Sequence, residues 1–160
     1  VIQKNIDSRY YDIDEHLIKR TLEEYLNSKD TKSHFRMMRN RFDDTVFGVS
    51  VYEALKNRVD KQLHAEEPDF DIRALHIAYD HKVLMYDRLK YLMANEVIPF
   101  DQDMLDKYAE VVDDMLTARN LLVRISVTGE IEAGERIATY LDSAKETEIA
   151  VLSKVVEALN

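Results

Sequence analysis

The chain has 160 residues, 46% hydrophobic and 33% charged, with a formal net charge of -9, 3 Gly, 2 Pro and no Cys. That length suits one domain around one core, and the composition is too apolar for a disordered chain and too poor in turn residues for a many-stranded sheet. Without cysteine there is no disulfide, no thiol nucleophile and no cysteine zinc site. The acidity is uneven: residues 101–160 hold 13 Asp and Glu against 6 Lys and Arg, a net -7, while residues 1–100 carry a net -2. A negative C-terminal third repels phosphate, which confines any nucleic-acid contact to the first hundred residues.

Residues 1–11 read as an extended N-terminal arm on a single domain over 1–160, and VIQKNIDSRYYD has no hydrophobic signal core. Asp12, with Glu15 three residues on, reads as the cap of a first helix whose apolar stripe is Leu17, Ile18, Thr21, Leu22, Tyr25 and Leu26. Asn27 to Asp30 reads as the turn out. A second helix from about Thr31 would carry Phe35, Met38, Phe42 and Val46 and close at Gly48. Ser50 and Glu53 form a capping box for the next, with Tyr52, Leu55, Val59 and Leu63 as its stripe. The alternative is one helix over 31–65 with Gly48 inside it.

Pro68 breaks the pattern, after which Ile72, Leu75, Tyr79, Val83, Tyr86, Leu89 and Met93 hold helical period. Pro99 stops that element and Asp101 caps the next, which carries Leu105, Tyr108, Val112, Met115 and Leu122. Thr128 and Gly129 interrupt again. A last segment carries Ile137, Leu141, Ala144, Val151, Val155 and Leu159, with Gly134 and the polar stretch SAKETE weakening its register. The fold class expected is therefore all-α: a single-domain bundle of five to six mostly antiparallel helices, several of them long. The nine tyrosines suit helix seams, ring buried and hydroxyl reaching a rim.

Chemistry-bearing motifs are few. Lys32, Arg36 and Arg39 fall at i, i+4 and i+7, a basic face that reads first as a solvated helix surface and, as a binding face, suits an acidic protein partner, the acidic third of a second copy or, less well, nucleic acid. His76 and Asp80 at i, i+4 are the best-placed metal ligands, yet no Glu-x-x-His of the kind that builds di-iron bundles occurs. In NRVDKQLH, Arg58 and His64 stand with five residues between them, and the pair resembles the Arg-x4-6-His motif of HEPN-domain ribonucleases, all-helical dimers. The resemblance implies His64 as acid/base and Arg58 as phosphate anchor at a dimer cleft. It is carried by two residues, and Val59 stands where that family often has a polar residue. Phosphate loops, nucleophile elbows and His-Glu-x-x-His are absent from the sequence.

The resulting expectation is a non-enzymatic protein-association module, an assembly subunit, adaptor or regulator acting as a homo-oligomer, with no cofactor and no metal. The alternative is an RNA-processing or nucleic-acid-binding protein using Arg58, His64 and the Lys32, Arg36 and Arg39 face. No apolar run approaches the roughly 18 residues of a membrane span, so a soluble, cytoplasmic protein without a membrane partner is expected.

Overall fold

A computed structural model describes residues 13–30, 45–66 and 69–159. Among them are five α-helices: α1 Glu15–Leu26, α2 Val51–Leu63, α3 Arg73–Ala94, α4 Gln102–Thr128 and α5 Glu135–Ala158. Short 3-10 turns at Gly48–Ser50 and Ile131–Ala133 lead into α2 and α5. The all-α bundle with several long helices is as expected, and none of the described helices is long and apolar enough to cross a membrane.

The helix ends follow from local chemistry. Asp14, not Asp12, caps α1 by accepting from the Leu17 amide at 2.9 Å; Asp12 lies outside the described residues. Asp101 caps α4 as its sequence position implies, accepting from the Met104 amide. Gly129 closes α4 in the left-handed conformation, φ 73°. Ser50 departs from its capping-box reading: it is already helical, and its hydroxyl donates to the Phe47 carbonyl at 2.6 Å. The 31–65 stretch is not one helix, because residues 45–47 are non-helical and Gly48 turns at φ 55°. Val46 accordingly stands half exposed before the turn rather than on a helix stripe. A Cβ on Gly48 would run into the Tyr25 carbonyl, so only glycine lets this turn lie against the end of α1.

α4 and α5 form the centre. α3 packs against α4, while α1 and α2 pack against α5. The core therefore reads along the two central helices: Tyr108, Val111, Met115, Ala118 and Ile125 of α4 meet Ile137, Leu141, Ala144, Leu152 and Val155 of α5, all essentially inaccessible. Small residues at Ala118 and Ala144 let these rods approach closely, and larger side chains from α2 and α3 close the layer. α5 runs unbroken through SAKETE, because the polar stretch places its exposed residues outward and turns Glu148 inward. The basic face of Lys32, Arg36 and Arg39, the stripe of Phe35, Met38 and Phe42, and Pro68 lie outside the described residues.

Candidate functional site

The centre of the molecule holds a charge. Glu148 of α5 is 0% exposed and Lys82 of α3 is 5% exposed, and they are the charged residues buried in the core. The Lys82 ammonium donates to both carboxylate oxygens, at 2.9 and 3.1 Å, and to the Tyr25 hydroxyl at 2.6 Å. Three tyrosines complete the shell. Tyr25 and Tyr52 donate to Oε2 of Glu148 at 2.8 and 2.9 Å, and Tyr108 donates to Oε1 at 2.5 Å. These five residues come one from each helix: Tyr25 from α1, Tyr52 from α2, Lys82 from α3, Tyr108 from α4 and Glu148 from α5. The Lys82 ammonium also lies 4.8 Å from the Tyr52 ring centre and 5.2 Å from that of Tyr25, a cation–π arrangement.

Electrostatics hold the three tyrosines as neutral donors. Burial pushes the Tyr25, Tyr52 and Tyr108 hydroxyls far above the usual phenol range and the adjacent Glu148 charge adds to it, so all three remain donors. Burial opposes charge on Glu148, but Lys82 and the tyrosine donors outweigh it and hold the carboxyl below its ordinary value. Lys82 is pulled down by burial despite its partner. Bound in this way the inaccessible carboxylate has donors on both oxygens. The arrangement fixes how five helices meet.

Beside the cluster the surface opens. A cleft of about 820 Å³ runs between α1 and α3, walled by Leu17, Ile18 and Leu22 on one side and Met85, Leu89 and Leu92 on the other. A smaller cavity of about 330 Å³ lies between the start of α2 and α3, with Lys82, Ile77 and Met115 in its wall. Tyr25 and His81 line both. Their rings stack at 5.7 Å between centres, 20° from parallel. His81 is pulled down to about 4, first by burial and then by the Lys82 charge, and is neutral at pH 7.

The outer face of α3 has a third feature. Ile77, Leu84 and Tyr91 recur at seven-residue spacing and are 68%, 56% and 57% exposed. Seven residues are close to two helical turns, so the three side chains form one apolar line about 21 Å long.

The residues singled out from sequence are placed separately. Arg58 pairs with Asp71, and Asp71 also accepts from the Arg73 side chain and amide, so its carboxyl is held below the usual range mainly by Arg73. His64 turns back on its own helix to Asp60. Arg58 and His64 thus each have an acidic neighbour within their own chain, Asp71 and Asp60. His76 and Asp80 face each other at 3.9 Å on the exposed side of α3, and no group of three or more His, Asp or Glu side chains gathers as a metal site among the described residues. Three of the tyrosines depart from the seam expectation, since the hydroxyls of Tyr25, Tyr52 and Tyr108 meet at an internal charge instead of a rim. Sequence reasoning missed Lys82 and Glu148 altogether. The available signal was positional: Lys82 lies seven residues from both Leu75 and Leu89, and Glu148 lies seven from Leu141 and Val155, so each sits on its helix's apolar stripe.

No family model matches the chain, and neither a curated protein nor a solved structure is significantly similar to it.

Proposed function

We propose that this chain works by protein association, as a homo-oligomeric assembly subunit, adaptor or regulator, and that the outer face of α3 is its contact surface. The observation that carries the reading is the exposed line of Ile77, Leu84 and Tyr91. Isolated apolar residues on a surface are ordinary, but three in register on one long helix form a seam of the kind that helices bury against one another. The buried network supports the reading from the other side. By tying α3 to the other four helices through Lys82, it presents the face on a rigid element.

Sedimentation equilibrium over a wide concentration range tests this. A mass rising above 18.7 kDa, the chain's own, and returning to it in Leu84→Lys is expected. A wild-type monomer at every concentration overturns the reading.

A second reading rests on the α1–α3 cleft, whose volume of about 820 Å³ lies in the range of small-molecule sites and whose walls are largely apolar. It would hold an apolar small molecule. Dodecanol is a suitable probe: shifts of the Leu22, Met85 and Leu89 methyl resonances that saturate at one equivalent support the reading, and unchanged resonances refute it.

A further inference from the structure

The line on α3 divides two edges of opposite charge. At about 100° per residue, with Leu84 as the reference, Ile77 and Tyr91 fall about 20° to either side. Arg88 then lies about 40° toward the edge that borders the cleft, while Asp80 and Asp87 lie about 40 to 60° toward the other. Arg88 lines the cleft, in agreement with that placement. Asp87 accepts from Lys90 at 2.7 Å, and Asp80 faces His76 at 3.9 Å. Each carboxylate has further lone pairs to offer, and no ion pair engages Arg88 among the described residues.

Resting on the self-association reading, we propose that two copies of the chain pair through α3 as a parallel two-fold dimer, in register, with the acidic edge of each helix against the basic edge of the other. The reason is geometric. When two identical helices face each other about a two-fold axis parallel to them, opposite edges meet, whereas an axis perpendicular to them brings like edges together. Parallel pairing places Asp87 of one copy within a residue's rise of Arg88 of the other, twice. Antiparallel pairing centred on Leu84 would set Asp80 of one copy against Asp87 of the other and leave Arg88 beside a neutral His81, and like charges across an interface are unfavourable. In the parallel arrangement Ile77, Leu84 and Tyr91 each meet their own counterpart. A seam of three side chains is smaller than the ~800 Å² per partner of a standard interface. The dimer is accordingly weak, with half-association at about 10 to 100 µM, and it loosens as salt screens the edge pairs.

Because the chain has no cysteine, single-cysteine variants of the full chain report the arrangement directly. Ile77→Cys, Leu84→Cys and Tyr91→Cys, oxidised gently at a few hundred micromolar protein and low salt, are each expected to give disulfide-linked dimers. Val127→Cys, exposed on α4, should remain monomeric and controls for chance collision. Arg88→Asp and Asp87→Arg should each weaken dimerisation at least fivefold in sedimentation equilibrium, and mixing the two variants should restore both edges, one with the native pair and one with its charges exchanged, and recover much of the loss. If the mass rises with concentration but only Leu84→Cys cross-links with itself, while Ile77→Cys links to Tyr91→Cys, the pairing is antiparallel and the proposal fails with self-association intact. If no variant cross-links above the Val127→Cys level although the protein self-associates, another surface is used. A monomer throughout removes both readings.

Discussion

Replacing Lys82 by methionine leaves Glu148 buried with three tyrosine donors and no cation. Methionine occupies similar volume, so the change is mainly electrostatic. Removing one partner of a buried pair costs about 3 to 5 kcal/mol, because the surviving charge keeps its desolvation penalty and loses its attraction. Tyr25 aggravates the loss, since its hydroxyl now accepts from Lys82 while donating to Glu148. A cost of that size is a large part of the 5 to 15 kcal/mol that holds a typical domain together. Neutralising the carboxylate as well, in Lys82→Met with Glu148→Gln, keeps an oxygen for the tyrosines and removes the stranded charge. The double variant should regain at least about 2 kcal/mol relative to the sum of the two single changes, a coupling within the range of contacting residues. Urea unfolding followed by far-ultraviolet circular dichroism measures all four proteins, with equal slopes confirming a common unfolded reference. A Lys82→Met cost under about 1 kcal/mol, or strict additivity in the double variant, would refute the view that these charges are held by each other.

Tyr108→Phe removes a donor at 2.5 Å from Glu148, and should cost about 1 to 3 kcal/mol in the same urea assay, more than Tyr91→Phe on the exposed face, which should be neutral. His81 binds a proton only near pH 4 in the folded protein, against about 6.5 unfolded. Between those values the unfolded chain binds more protons, so stability present above pH 6.5 should drain away as pH falls toward 4; His81→Phe should flatten that part of the profile, and an unchanged slope would exclude His81 as its source. Gly48 and Gly129 both have positive φ, 55° and 73°, yet only Gly48 is crowded, by the Tyr25 carbonyl. Gly129→Ala should cost about 1 to 2 kcal/mol from backbone strain alone, and Gly48→Ala distinctly more by thermal or chemical denaturation; equal costs would contradict the crowding.

Much of the architecture is legible from residue order. Asp101, the stripe of Leu105, Tyr108 and Met115, and the pair Thr128 and Gly129 mark α4 because capping, period and left-handed closure are local properties. The Ser50 capping box failed for an equally physical reason. The 3-10 turn from Gly48 brings Ser50 into helical conformation before it can cap, and its hydroxyl finds the Phe47 carbonyl. The candidate site was less visible. Arg58 and His64 drew notice as a motif, and the folded chain gives each an acidic neighbour, Asp71 and Asp60, that the motif did not anticipate. Lys82 and Glu148 drew none, since one cation and one carboxylate among 53 charged side chains carry no mark of burial.

What the sequence by itself determined is what depends on near neighbours: an all-helical chain, and where its five described helices lie. What only the tertiary structure decided is which stripes are covered. Leu75 and Leu89 are buried while Ile77 and Leu84 on the same helix stay outside, and Glu148 in the polar middle of α5 meets Lys82 from 66 residues away. Burial is a property of the assembled helices, and a charge is tolerated inside only where the packing delivers its partners from other elements, so neither can be read along a single strand of sequence.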